Sequence, residues 1–487
     1  MLILSLLCQN EKELFQKIKK IPTQDVDGIE IRWDGFSQIP FSSWQQIKKD
    51  LPFPCLFTLR KKSQGGLFQK NEEERKILIQ KLCELEPEFF DIEYDTSKDF
   101  VLSLQSQYPN LKIISSYHNF SNTPSHLSDV YSLVKNAFPA HLYKIVTYAH
   151  SILDTLRMIL FTKEKNTHTQ NLIGFCMGEQ GEISRILAPF TKSPFTFASL
   201  DEQITAPGQL SFQTLNQTYH FKKISPQTSL YGRLGLPNKK SLSHVTHNQV
   251  FFDLGFSALY LKIDVKEEEL PSFLEMAQKV PFQGFSVTMP LKEKILPDQS
   301  INTLWLTNEH WEALSTDGIG ALKALEEKTS IKNKKILLVG AGGAAKAILQ
   351  KLIFFTDDIT IFNRTDEKGK KLAKEFSCHS LSSKDLSKPP EYDILIQASS
   401  CGMTTEEMPI LESWILPGKI IFECILSPTL LVQKGIEKGC TVIVGKSLFY
   451  YQALEQYFLW FPDIDRKRLK ETLKKALTCF NIKKCLK

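Results

Sequence analysis

Through the first two hundred residues, short apolar runs alternate with longer segments whose apolar residues recur every three or four positions. A continuous or period-two apolar run marks a strand, and a 3.6-residue period marks an amphipathic helix, because side chains alternate faces in one and circle an axis in the other. The strand candidates are Leu2 to Cys8, Gly28 to Trp33, Pro54 to Arg60, Phe89 to Tyr94, Leu111 to His118, Leu142 to Ala149, Asn171 to Gly178 and Pro194 to Leu200. Helix-period stretches such as Glu72 to Leu85 and Ser151 to Phe161 fill the gaps. Eight strand and helix units in roughly 210 residues predict an α/β fold that closes as a (β/α)8 TIM barrel, since an open sheet seldom uses so regular a count.

A polar stretch, Phe221 to Thr228, reads as the link to a second half. There, the apolar run Lys335 to Val339 leads into Gly340-Ala341-Gly342-Gly343-Ala344-Ala345 and then a helix-period segment, Lys346 to Phe354. Strand, glycine turn and helix in that order place backbone N–H groups and a helix N-terminus against a pyrophosphate, which predicts a Rossmann domain. The next strand, Asp358 to Phe362, ends in Asn363-Arg364-Thr365, about 23 residues beyond the first glycine. An acid at that place binds the ribose diol of NAD, whereas arginine favours the 2′-phosphate of NADP. Residues 229–325 read as a further α/β segment. The expected organisation is therefore a barrel over 1–221, an α/β substrate-binding domain over 228–325 completed by C-terminal helices 453–487, and a Rossmann NADP-binding domain over 326–452.

Length and composition agree with this plan. A chain of 487 residues exceeds one ordinary core. No apolar run reaches the length of a bilayer span, and the opening Met1 to Cys8 is too short and lacks the basic flank of a signal peptide, so a cytoplasmic protein without membrane partners is expected. The ten cysteines are dispersed without a C-x-x-C pair or histidines at ligand spacing, which predicts free thiols and no metal. Much of the net charge of +6 sits between Arg466 and Lys487, in a pattern that reads as an amphipathic helix with a solvated basic face, and no nucleic-acid partner is expected. A mild positive bias suits small anionic substrates.

In a TIM barrel the chemistry gathers at the C-terminal ends of the strands. There this sequence places Glu30 and Arg32 on strand 2, Arg60 on strand 3, His118 on strand 5, and Lys144 inside the apolar run of strand 6. Arg185 follows strand 7, and Thr205 to Gln209 follow strand 8. An ammonium between Tyr143 and Ile145 loses hydration, which favours the neutral amine that attacks a carbonyl, and nearby arginines push the same way. Lysine, histidine and an ordering glutamate beside three arginines favour carbanion chemistry on a keto acid.

At these residues the sequence resembles the type I 3-dehydroquinate dehydratases. The matching elements are Glu30-Ile31-Arg32, Phe57 to Arg60 with Gly65-Gly66, Ser116 to Phe120, Tyr143-Lys144-Ile145, Met177-Gly178 through Arg185, and Ala206 to Gln209, over about residues 1–215. The resemblance implies that Lys144 forms an imine with the substrate ketone, that His118 moves the proton of the adjacent carbon, and that Arg185 clamps the carboxylate. It also implies that Glu30, Arg32, Arg60, Thr205 and Gln209, with Ser5 as a further candidate, hold hydroxyls and order the imidazole. Gln64 departs from the family, which usually has glutamate there.

Beyond the link, the clusters Ser241-Leu242-Ser243, Gly284 to Lys292, Ile301-Asn302-Thr303 and Ser315 to Gly318 resemble the shikimate dehydrogenases, as do Ala398 to Met403 and Gly445 to Gln452. By that resemblance Lys292 and Asp317 are the catalytic pair that protonates the developing alkoxide. Ser241 and Ser243 bind the substrate carboxylate, while Thr288, Asn302 and Gln452 bind its hydroxyls. Gly340, Ala341, Gly342, Gly343, Ala344, Asn363, Arg364, Thr365 and Gly445 hold the cofactor. The departures are Lys240-Ser241-Leu242-Ser243-His244 in place of His-Ser-x-Ser-Pro, Ser286 for asparagine, Leu426 for tyrosine, and only ten positions between Lys292 and Asn302. The substrates implied are 3-dehydroquinate, 3-dehydroshikimate and shikimate, with the product of the first reaction feeding the second. A metabolite sensor without activity, or a quinate-preferring or impaired dehydrogenase half, are the competing readings. The sensor would be expected to have lost Lys144 or His118.

Overall fold

The computed structural model describes all residues except 23, 40, 50, 201–204, 237–242, 298, 385–388, 404–405, 427 and 480–487. Eight strands come first: β1 (Leu2–Leu7), β2 (Gly28–Arg32), β3 (Cys55–Thr58), β4 (Phe89–Glu93), β5 (Lys112–His118), β6 (Leu142–Tyr148), β7 (Leu172–Met177) and β8 (Thr196–Ser199). They form one sheet in the order β7-β6-β5-β4-β3-β2-β1-β8. The pairings within it are parallel. The predicted barrel is thus present, with one departure from full closure. Among the described residues no ladder joins β7 to β8. The Phe197 ring packs inside at this place, 6.0 Å from the Phe175 ring and 6.4 Å from the Phe195 ring.

Period-two alternation explains both faces of this sheet. Ile29, Ile31, Phe57, Phe90, Ile92 and Ile113 point outward into a core shared with the helices. Ile3, Leu56, Ile114, Val146, Ile173, Phe175 and Phe197 point inward and fill the barrel. Continuing the inward rows toward the strand ends, the side chains turn polar at Ser5, Glu30, Thr58, Asp91, Glu93, Ser116 and Lys144, all of them buried.

The helices hold their predicted places. Asn71 and Glu74 form a reciprocal capping box at the start of helix Glu72–Cys83. The predicted Ser151 to Phe161 segment extends to His168, because the Asn166 amide donates to Leu172 O at 2.8 Å and accepts from Leu172 N at 2.9 Å, tying its end to β7. The link is packed: Phe221–Lys223 is a 3-10 turn, Lys222 pairs with Asp27, and Phe221 and Ile224 are buried.

A five-stranded sheet follows, built from β9 (Ser229–Gly235), β10 (Ala258–Asp264), β11 (Phe282–Val287), β12 (Thr303–Thr307) and β13 (His310–Leu314) in the order β10-β9-β11-β12-β13. The third sheet contains β14 (Ile336–Val339), β15 (Ile359–Phe362), β16 (His379–Leu381), β17 (Ile394–Gln397), β18 (Ile420–Glu423) and β19 (Thr441–Ile443). Its order, β16-β15-β14-β17-β18-β19, is doubly wound and all parallel, with the switch point between β14 and β17 where dinucleotides bind. The helix after β14 begins at Gly343, three residues before the predicted Lys346, because extended Gly342 takes the cap position.

The chain divides into two compact units, Met1–Tyr231 with Gly255–Phe282, and Gly232–Leu254 with the chain from Gln283 onward. The eight-stranded sheet lies in the first and the six-stranded sheet in the second. The basic C-terminal helix starts at Arg466; it buries Leu469, Leu473 and Ala476 and exposes its lysines and arginines. Among the described residues, no helix is long and apolar enough to cross a membrane.

Candidate active sites

At the C-terminal ends of the barrel strands lies a cavity whose lining includes Ser5, Glu30, Arg32, Arg60, His118, Lys144, Arg185, Thr205 and Gln209. Every barrel residue singled out from the sequence therefore meets at one place. Lys144, 4% exposed, projects inward from β6; its Nζ lies 2.9 Å from Asp91 Oδ2 and 4.1 Å above the centre of the Phe197 ring. Asp91 also accepts Arg60 Nη2 at 2.8 Å and Ser116 Oγ at 2.5 Å. Burial by itself would raise the Asp91 carboxyl, but Arg60 and Lys144 outweigh it and hold the group well below the usual range. Arg60, despite its burial, is pushed up by Asp91 and Glu93. Arg60 is thus paired with these carboxylates, and Asp91 lies directly against Lys144 Nζ.

Asp91 and Glu93 are absent from the sequence-based candidates. Their signal was present in Phe89-Phe90-Asp91-Ile92-Glu93, where two acids two positions apart in an apolar strand must share the face opposite Phe90 and Ile92. Glu93 continues the network outward, bonding Arg75 Nη1 at 2.6 Å and lying 3.4 Å from Arg60.

The imidazole has a different neighbourhood from the one expected. Glu30 accepts Ser5 Oγ at 2.5 Å and Thr58 Oγ1 at 2.8 Å, whereas His118 Nδ1 is buried without a partner. Glu30 is committed to hydroxyls on β1 and β3, and Gln64 takes the place beside the histidine, accepting the His118 backbone N–H at 2.8 Å. Burial, reinforced by the charges of Arg60 and Lys144, lowers the His118 pKa well below the ordinary value, so the ring is neutral and ready to accept a proton. A carboxylate at position 64 would favour the charged ring. Gln64→Glu is therefore expected to move the acid limb of the dehydratase kcat/KM profile upward by about one pH unit; an unmoved limb would show that position 64 acts only on the backbone.

Arg185, 2% exposed, is the least satisfied cation of the cavity. It makes no ion pair among the described residues, its Nε has no hydrogen-bond partner, and its guanidinium stacks 4.3 Å from the Phe175 ring centre. Burial lowers its pKa to about 10. An uncompensated buried charge costs several kcal/mol, and its planar fork matches a carboxylate. Arg32 instead forms a bidentate pair with Asp34 at 2.9 and 2.7 Å. At the far rim, Gln209 Oε1 accepts both the N–H and the hydroxyl of Thr205, at 2.7 and 2.8 Å.

In the second unit, Lys292 occupies a 3-10 turn, Leu291–Glu293, and Asp317 opens helix Asp317–Glu326. Lys292 Nζ donates to Asp317 Oδ2. The other carboxylate oxygen accepts Asn302 Nδ2 at 2.7 Å, and Asn302 Oδ1 accepts Thr303 Oγ1 at 2.7 Å and Thr316 N at 2.8 Å. The short Lys292 to Asn302 spacing thus leaves Asn302 in contact with the pair, helped by a bond from Ile301 N to Lys292 O at 2.8 Å. Gln452 Oε1 lies 3.3 Å from Asn302 Nδ2; Gly320 makes room for it, since a Cβ there would come within 2.7 Å of Gln452 N. Thr288 N bonds Leu234 O at 2.8 Å just past β11. Ser243 begins helix Ser243–Leu254, and Ser241 lies outside the described residues. Thr316 supports the pair from within the Ser315 to Gly318 cluster, and Gln456, whose Nε2 donates to Thr303 Oγ1 at 3.0 Å, is a supporting residue that the sequence did not single out.

The glycine turn after β14 fits a pyrophosphate. Gly340 has φ +114°, and a Cβ on it would come within 2.9 Å of Ser399 N. A Cβ on Gly342 would meet nothing within 4 Å, so open space lies before the N-terminus of helix Gly343–Leu352, whose first turn contains Ala344. Ala341 precedes this opening. At the end of β15, Asn363 Nδ2 bonds Thr365 O at 2.8 Å, while Arg364 and Thr365 are exposed. Gly445 packs where a Cβ would come within 2.2 Å of Ile425 O.

Such a barrel, followed in one chain by a lysine–aspartate pair and a doubly wound sheet, defines a fused enzyme, a lyase barrel with a dinucleotide-dependent dehydrogenase. The sequence matches the type I 3-dehydroquinase family over residues 2–226, the shikimate dehydrogenase substrate binding domain over 234–301, and shikimate / quinate 5-dehydrogenase over 322–413. It is 32% identical over 469 residues to the chloroplastic bifunctional 3-dehydroquinate dehydratase/shikimate dehydrogenase of Arabidopsis thaliana, covering 88% of this chain and 77% of that one. With the shikimate biosynthesis protein AroDE of Chlamydia pneumoniae it shares 31% identity over 455 residues, 90% of this chain and 91% of that one. The shikimate dehydrogenase (NADP(+)) of Pyrococcus furiosus matches 49% of this chain at 35% identity, over 92% of its own length. The chain belongs to the bifunctional 3-dehydroquinate dehydratase/shikimate dehydrogenase family.

Proposed function

We propose that the barrel dehydrates 3-dehydroquinate to 3-dehydroshikimate through an imine on Lys144, and that the second half reduces this product to shikimate with NADPH. The observation that carries the reading is the cavity itself, where a buried lysine, a neutral histidine and an unpaired arginine converge. Arg185 receives the substrate carboxylate, Lys144 attacks the ketone, and His118 takes the proton from the carbon beside the imine and returns it to the departing hydroxyl. Glu30, Arg32, Arg60, Thr205, Gln209 and Ser5 hold the remaining oxygens.

NADPH supplies a hydride when bound. Residues Gly340 to Ala344 would hold its pyrophosphate and Asn363, Arg364 and Thr365 its ribose phosphate, with Gly445 a further cofactor-binding residue. Lys292 donates the proton that the ketone oxygen needs as it becomes an alkoxide, and Asp317 aligns and recharges that ammonium. Thr288, Asn302, Gln452, Ser243 and Ser241 position the hydroxyls and carboxylate. Exposed Arg364 makes the cofactor choice testable: Arg364→Asp should raise KM for NADPH by about 100-fold and leave NADH little changed, and equal losses in steady-state kinetics would remove the assignment.

The working division is 1–221 for the dehydratase, 228–325 with 453–487 for the dehydrogenase substrate domain, and 326–452 for the NADP domain. Free thiols at Cys8, Cys55, Cys83, Cys176, Cys378, Cys401, Cys424 and Cys440 suit a reducing cytoplasm. The deciding experiment is borohydride trapping with 3-dehydroquinate followed by mass mapping, together with shikimate-dependent NADP reduction. An adduct on Lys144 and reduction of NADP are expected. No adduct at Lys144 refutes the barrel chemistry, and inactivity with both shikimate and quinate reduces the second half to a binding module.

A further inference from the structure

We infer that Asp91 is the counter-ion of the protonated imine formed on Lys144, and hence a catalytic residue of the dehydration. This rests on the imine reading above. The geometry isolates one carboxylate for the task. Glu30 is bonded to Ser5 and Thr58, and Glu93 to Arg75 and Arg60, while Asp91 Oδ2 lies 2.9 Å from the nitrogen that reacts. Asp91 is 1% exposed, and Arg60 and Ser116 pin it at 2.8 and 2.5 Å, so it stays in place while the lysine changes its bonding.

The charge on that nitrogen appears and vanishes during the reaction. The amine lone pair forms the C–N bond as the carbonyl oxygen gains a proton; loss of that oxygen as water, with a second proton, leaves a C=N bond whose nitrogen keeps one hydrogen and a positive charge. When His118 takes the proton from the adjacent carbon, the C–H pair moves toward nitrogen and neutralises it as an enamine. The pair then returns to expel the hydroxyl, which leaves as water with the proton from His118, and the nitrogen is positive again. A fixed anion beside it keeps the imine protonated at both stages, and only the protonated imine withdraws electrons strongly enough. The other groups facing this pair are Arg60 from beyond β3, Ser116 and His118 on β5 and the ring of Phe197 on β8, with Glu93 on β4 beside Arg60 and Arg32 on β2 acting on His118. Asp91 is the anion among them in contact with Lys144 Nζ.

The test compares full-length wild type, Asp91→Asn, Asp91→Glu and Ser116→Ala by dehydration pH profile, borohydride trapping at Lys144 and thermal unfolding, with NADP reduction by shikimate as a folding control. Asp91→Asn should lower dehydratase kcat about 100-fold and bring its alkaline limb down by about 1 to 3 pH units, since the imine then loses its proton more readily. Asp91→Glu keeps the charge and should keep the wild-type limb even at reduced kcat, and Ser116→Ala should also leave the limb in place. An alkaline limb in Asp91→Asn identical to wild type overturns the counter-ion role, whatever the loss of rate. Should that variant fail to fold, a limb in Asp91→Glu displaced downward from wild type overturns it equally. Absence of the wild-type adduct removes the imine reading itself, a separate failure from these.

Discussion

Lys144→Ala is expected to lower dehydration of 3-dehydroquinate by roughly 10⁴-fold or more and to abolish the borohydride adduct, while shikimate still reduces NADP at the wild-type rate. Removing the amine removes the covalent route altogether, because among the described residues no other lysine lines the cavity. In the proposed mechanism the remaining groups, Arg185 above all, still bind the substrate, so the loss should fall on kcat and leave KM within roughly a few-fold. The variant also frees Asp91 from one of its three partners. Arg60 and Ser116 continue to satisfy it, which predicts a folded barrel. Retention of more than about 1% of the dehydratase rate would exclude an obligatory imine on this residue.

The second large effect belongs to the other half. Lys292→Ala should lower shikimate oxidation about 10³-fold in kcat and leave dehydration unchanged. In the proposed mechanism Lys292 exchanges a proton with the reacting oxygen, and Asp317, Asn302, Thr303 and Thr316 form the hydrogen-bond network that holds it and its carboxylate partner. Asp317→Asn should be milder, about 10²-fold, since it removes alignment and charge without removing the proton donor. Equal activity of Lys292→Ala with shikimate and with quinate, both near wild type, would assign proton transfer elsewhere. The departures from the family around Ser241, Ser286 and Leu426 bear on which of the two substrates is preferred, and leave the Lys292 and Asp317 pair untouched.

Much of this arrangement was legible in the chain. Strand count and period identified the barrel, and motif order placed Lys144, His118, Glu30 and Arg185 at one end of it. The glycine turn, with arginine after the second strand, identified the dinucleotide fold. These features are local: each depends on residues within about one element, where periodicity and turn chemistry suffice. Asp91 and Glu93 were overlooked because the alternation of their strand shows only that the two acids share a face, and the cations that pair with them come from other elements. The role expected of Glu30 in ordering the imidazole failed for the same reason, since its hydroxyl partners lie on β1 and β3, 25 and 28 positions away in sequence.

The place of the Lys144 nitrogen, on an apolar barrel strand, was thus determined by the sequence itself. What accompanies that nitrogen was decided by tertiary structure alone. Parallel strands brought Arg60, Asp91, Ser116 and Lys144 from four different elements within hydrogen-bonding distance of one another. In a buried, low-dielectric interior the state of each such group depends on the charges beside it, and sequence separation carries no information about that distance.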